Sequence, residues 1–150
     1  MTTTTSPPAA PSAPPPTTAR CAVALPHSRR APSLARRVSE RWLRAADPVD
    51  RVPDAVLVVS ELVTNAVRHT CGPCLLTLTV RDGRLDIAVA DHSEEFPELH
   101  RRSAGDERGG FGMEVIRGLG GQIRLVPALG GKTVHVLLDL GSARAPSPER

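Results

Sequence analysis

Apolar residues recur along this chain with two different periods, and each change of period marks a new element. Cys21, Val23 and Leu25 alternate with Ala22 and Ala24 up to Pro26, the period-two pattern of a short strand. Pro32 and Ser33 then open a segment with Leu34, Val38, Trp42 and Ala46 at four-residue spacing, which predicts an amphipathic helix with its arginines on the opposite face. Pro48 ends it. A second helix is predicted from Pro53 and Asp54 to Thr70, since proline lacks the N–H that a first turn cannot use and aspartate complements the positive helix end. Its apolar stripe is Ala55, Val56, Val59, Leu62, Val63, Ala66 and Val67, while Glu61, Asn65, Arg68 and His69 line a separate one.

Leu75–Val80 and Leu85–Ala90 are runs of strand length joined through Asp82-Gly83, a strong hairpin signal. After Asp91 the pattern lapses for about eighteen residues, a length that in a compact domain marks a functional or disordered loop. Met113, Val115, Ile116 and Leu119 predict a short helix closed by Gly120 and Gly121, and two strands follow, Gln122–Val126 and Lys132–Leu140, around Gly130-Gly131. The order β, α, α, β, β, loop, α, β, β favours an α+β fold. It predicts a two-layer sandwich in which a mostly antiparallel mixed sheet of about five strands carries about three helices on one face.

Composition trims this unit at both ends. Six prolines and six threonines precede Ala19 and no charged residue does, so residues 1–19 are expected to be a disordered tail. Residues 141–150, rich in Pro, Ser and Ala, read the same way, leaving one domain over 20–140. No apolar run is long enough to span a bilayer and no export signal opens the chain, so a cytoplasmic protein without membrane attachment is expected. Three cysteines argue against a disulfide framework. Residues 20–51 carry eight arginines against Glu40, Asp47 and Asp50. With one Trp, two Phe and no Tyr, stacking on single-stranded nucleic acid is disfavoured. The basic segment reads either as a face for an acidic protein or phosphate, or as solvated arginines.

Candidate chemistry begins with Glu61 and Asn65, one helical turn apart on a face separate from the apolar stripe. A carboxamide oxygen is a hard ligand suited to magnesium, which takes one or two protein oxygens and completes its shell with phosphates and water. A carboxylate one turn away can accept a proton from a hydroxyl. The plain alternative is a solvated helix face. Asp91, at a strand end opening the long loop, can accept a hydrogen bond from an exocyclic amine. Gly109-Gly110-Phe111-Gly112-Met113 runs into a helix start, where free N–H groups favour a phosphate. Gly131-Lys132-Thr133 imitates a P-loop, but Val126 stands where its first glycine is needed and the segment continues as a strand. Cys71-Gly-Pro-Cys74 spells the thioredoxin redox sequence, but it follows a helix and precedes a strand, the reverse of the context that lowers a thiol pKa. A single CxxC also lacks the second pair of a zinc site.

Together these residues resemble the GHKL ATPase/kinase superfamily, and within it the small bacterial anti-sigma-factor serine kinases, over about Leu25–Leu138. The stretch Ser60-Glu61-Leu62-Val63-Thr64-Asn65-Ala66-Val67-Arg68-His69 is similar to the family's asparagine box. The resemblance implies a Bergerat-type ATP-binding fold and ATP with Mg²⁺ as cofactors. It implies Asn65 as the magnesium ligand, Glu61 as base toward a substrate serine, and Asp91 against adenine. His69, Gly110, Gly112, Met113 and Thr133 would complete the nucleotide site. Implied partners are a sigma factor and an antagonist protein, with room for a homodimer and no direct contact with nucleic acid. The implied activity is serine/threonine kinase action on the antagonist; the alternative is a non-catalytic nucleotide-binding module that signals by partner exchange. Two features depart from the family pattern. The first glycine box, Asp-x-Gly-x-Gly, reads Asp91-His92-Ser93-Glu94-Glu95 here, and residues 92–109 hold five acids against three arginines.

Overall fold

A computed structural model describes residues 3–5, 7–9, 18–46, 51–94 and 112–141. Strand β1 (Ala19–Leu25) leads into helices α1 (Ala31–Ala46) and α2 (Val52–His69), then the hairpin of β2 (Cys74–Arg81) and β3 (Arg84–Asp91). Helix α3 (Gly112–Gly118), β4 (Gln122–Ala128) and β5 (Gly131–Asp139) follow. The strands form one sheet in the order β1-β2-β3-β5-β4. Every pairing is antiparallel, so the expected α+β sandwich is present without a parallel contribution. Most of the expected tails, the loop residues 95–111 and the glycines of 109–110 lie outside the described residues.

Local chemistry accounts for the turns. Asp82 and Gly83 both take positive φ, 51° and 73°, the type I′ geometry whose twist matches that of the strands it joins. Helix α3 ends in a Schellman motif: Gly120, at φ 82°, donates to the Arg117 carbonyl at 2.9 Å, and Gly121 donates to the Ile116 carbonyl at 2.9 Å. A Cβ at Gly121 would stand 2.8 Å from the Ile116 side chain and 3.0 Å from Val136. Glycine is therefore required there to let α3 close onto the sheet. Pro127 lies in β4, an edge strand, where its missing N–H breaks no ladder bond toward a further strand.

The core lies between the helices and one face of the sheet. Leu76 and Leu78 of β2, Leu85, Ile87 and Val89 of β3, and Val136 and Leu138 of β5 meet Val58, Val59, Leu62 and Val63 of α2. Arg51, just before α2, ties three elements together. Its guanidinium donates to Asp139 O at 2.7 Å and to Leu119 O, and pairs with Asp54 at 3.3 Å.

Helix α1 departs from the expected stripe. Its buried residues are Ala31, Ala35, Ser39 and Leu43, whereas Leu34 is exposed and Val38 and Trp42 are only partly buried. Both rows have four-residue spacing. The small side chains of the first allow α1 to lie close along α2, while the bulkier row turns outward toward Cys21 at the edge strand. Leu43→Ala should accordingly cost about 2–5 kcal/mol, the range for emptying a packed core site, and Leu34→Ala about 0.5 kcal/mol or less. Urea denaturation of the two variants checks this. Equal losses would return Leu34 to the core.

Candidate functional site

Helix α2 forms one wall of the candidate site. Its amphipathic period sends Leu62 and Ala66 into the core and brings Asn65 and His69, one turn apart, to its margin. The helix stops at Thr70, which turns extended at φ −130° and returns its hydroxyl to the Ala66 carbonyl at 2.8 Å. The floor comes from the sheet. Alternation along β3 points Leu85, Ile87, Val89 and Asp91 to the helix side, and along β5 it points Lys132, Val134, Val136 and Leu138 the same way. Met113, buried on α3, closes the far side. The recess is nearly closed, with a cavity volume of about 10 Å³, room for about one water and far below the roughly 300–1,000 Å³ of ligand pockets, so a nucleotide base enters only as lining side chains move apart.

Asn65, His69, Asp91 and Met113, expected from the sequence to share a site, thus converge from three elements. Glu61 is half-buried one turn before Asn65 and is not among the residues lining the recess. Thr133 alternates to the other face of the sheet, so the residues that β5 contributes here are Lys132 and Val134. Gly112 is the first residue of α3, and Gly110 lies outside the described residues.

Lys132 is the residue that sequence reasoning passed over. Asp91 and Lys132 are direct cross-strand partners, and Lys132 Nζ donates to Asp91 Oδ1 at 3.0 Å with both side chains 3% exposed. Nζ donates also to the Ser93 carbonyl at 3.2 Å, and the Ser93 N–H donates to Asp91 Oδ1 at 2.9 Å. The only signal in the sequence was that Lys132 is the single lysine of the chain, set after Gly130-Gly131 at a strand start. Gly131 makes the pair possible. A Cβ there would overlap the Asp91 carbonyl oxygen, so only glycine lets the start of β5 approach the end of β3.

The same geometry bears on the missing glycines. Among the described residues, Asp82 is the one non-glycine with positive φ, so His92, Ser93 and Glu94 follow Asp91 in ordinary backbone conformations. The turn after Asp91 is held by the Ser93 N–H, which any residue but proline would supply at that position.

Burial pushes the Cys74 thiol above its ordinary pKa, and the nearby Asp91 carboxylate adds to the effect. Cys74 is therefore held as the protonated thiol, not as the thiolate that acts as nucleophile or metal ligand. Among the described residues no group of three or more His, Cys, Asp or Glu side chains is placed to hold a metal. A magnesium ion carried in by a polyphosphate needs less, since one amide oxygen beside the phosphates suffices. Asn65, half-buried at the margin of the recess, fits that requirement by its donor chemistry. No described helix is long and apolar enough to cross a membrane.

Comparison with known proteins bears on the fold and the family. Among 21 matching solved chains is the crystal structure of the RsbU and RsbW domains of Rv1364c from Mycobacterium tuberculosis. It superposes with a TM-score of 0.61 at 21% identity, covering 81% of this chain and 32% of that one. The chain thus spans about a third of that protein's solved length. The histidine kinase domain of a blue-light-activated kinase from Erythrobacter litoralis matches at 24% identity with TM-score 0.42, over 57% of this chain and 43% of that one. The histidine kinase domain of the E. coli osmosensor EnvZ matches at 18% with TM-score 0.43, over 64% and 70%. No curated protein matches. The sequence model for the histidine kinase-like ATPase domain matches residues 25–136, from the end of β1 well into β5, and the chain belongs to that family.

Proposed function

We propose that this protein binds Mg-ATP and acts as an anti-sigma-type regulator, sequestering a sigma factor and phosphorylating a serine or threonine of an antagonist protein. The observation that carries the reading is the convergence of Asn65 and Asp91 on one recess, from a helix and a strand far apart in sequence. In this reading Asn65 Oδ1 holds the magnesium, which shields the phosphate charge when bound. Asp91 accepts a hydrogen bond from adenine, and His69 and Met113 border the nucleotide. Glu61, one turn before Asn65, takes the proton of the attacking hydroxyl. The similarity to a chain that includes an RsbW domain supports the partner-switching role.

Titration with a fluorescent ATP analogue, with and without magnesium, tests it. Magnesium should tighten binding by roughly tenfold or more, the equivalent of about 1.4 kcal/mol, and Asn65→Ala should remove that gain. Asp91→Asn should erode the preference for ATP over GTP. Binding by both variants that matches the parent in affinity, magnesium dependence and selectivity would place the nucleotide elsewhere.

A further inference from the structure

The buried pair on the floor of the recess leaves polar capacity unused. An ammonium group has three protons, and Lys132 directs two of them, to Asp91 Oδ1 at 3.0 Å and to Ser93 O at 3.2 Å. The Asp91 carboxylate receives Lys132 and the Ser93 N–H on the same oxygen, Oδ1. Among the described residues, the third proton of Lys132 has no acceptor and Asp91 Oδ2 has no donor. One donor and one acceptor therefore stand side by side in a recess lined otherwise by apolar Leu62, Ala66, Val89, Met113 and Val134, with Asn65 and His69 at its margin making no hydrogen bond to either.

We infer that Asp91 and Lys132 together read an amidine edge, an amino group next to an unprotonated ring nitrogen, and that Lys132 determines which purine is bound. Asp91 Oδ2 accepts from the exocyclic amine of adenine, and Lys132 Nζ donates to the ring nitrogen beside it. Guanine presents the opposite order, a carbonyl followed by a ring N–H. It would set oxygen against carboxylate and hydrogen against ammonium. A site with dedicated polar groups rejects a ligand that leaves them unpaired far more strongly than an apolar slot rejects a change of shape. Lys132 thus acts in selectivity, and the cross-strand pairing with Asp91 keeps its charge compensated while it does so.

The inference rests on the nucleotide reading above, and its test separates the two. Calorimetric titration of the parent protein in magnesium would compare ATP with GTP, purine riboside triphosphate, which lacks the amine, and 1-deaza-adenosine triphosphate, which lacks the ring nitrogen. Each analogue should bind about tenfold or more weakly than ATP, the range for a hydrogen bond to a charged group. Lys132→Met should abolish the discrimination against the 1-deaza analogue and keep that against purine riboside, whereas a purely structural lysine would weaken all ligands alike. Lys132→Arg should restore part of it. Because Lys132 is the only lysine, ¹⁵N labelling gives a single side-chain ammonium signal, expected to shift with ATP and hardly with the 1-deaza analogue. Parent protein that binds ATP and the 1-deaza analogue equally overturns the role of Lys132 and leaves the nucleotide site standing. Parent protein that binds none of the four overturns both, and the comparison on the parent stands even where Lys132→Met fails to fold.

Discussion

Asp91→Ala should destabilise the domain by roughly 3–5 kcal/mol, the range for removing one partner of a buried ion pair. The substitution leaves the Lys132 ammonium 3% exposed with only the Ser93 carbonyl as acceptor, and it removes the anchor of the turn that follows β3. The loss should appear in urea as a lower midpoint with an unchanged slope. In a thermal scan it should exceed about 10 °C, given roughly 4–8 °C per kcal/mol for domains slightly smaller than this one. Combining Asp91→Ala with Lys132→Met should recover a large part of the stability, because an apolar replacement of both partners removes the uncompensated charge. A loss below about 1 kcal/mol for the single variant would mean that the pair is solvated in the folded protein. This expectation also decides how selectivity is measured: Asp91→Asn keeps the shape and one acceptor oxygen, so it is the variant to carry into nucleotide titrations.

Glu61→Ala should lower phosphoryl transfer to a serine-bearing antagonist by about 10²–10³-fold while leaving the fold and ATP affinity nearly intact. General-base removal costs about 10²–10⁴ in rate, and phosphoryl transfer depends chiefly on positioning and charge, which puts the expectation in the lower half. No hydrogen bond or ion pair engages the Glu61 carboxylate among the described residues, so its removal breaks no structural contact of that kind. Stability should change by about 0.5 kcal/mol or less. Radiolabelled ATP, the two proteins at matched occupancy and a partner shown to bind make the measurement. Transfer by both at equal rates would remove Glu61 from the chemistry. A parent that transfers nothing to a partner it binds would favour the non-catalytic module, in which nucleotide occupancy alone switches partners.

Local features of this chain were legible wherever neighbours in sequence determine the outcome. Asp82-Gly83 specifies a type I′ turn whatever surrounds it, because two consecutive positive φ angles admit few residues. The length and period of α2, and the pairing of Glu61 and Asn65 one turn apart, follow from 3.6 residues per turn. The resemblance of Ser60–His69 to an asparagine box needed only those ten residues to be read. The orientation of α1 was different: Leu34, Val38 and Trp42 and the smaller row Ala31, Ala35, Ser39 and Leu43 have the same spacing, and only the close approach of α2 decides which row is buried. The Asp91–Lys132 pair lies further beyond local reading. Forty-one residues separate the two, and their contact depends on the β3–β5 register and on Gly131 admitting one strand end against the other. Arg51 gathers carbonyls from the turn after α3 and from β5 for the same reason. Periodicity and turn chemistry are properties of a segment, so the sequence alone determined the elements and the helical half of the site. The charged floor is a property of strand register, which exists only once the sheet has formed.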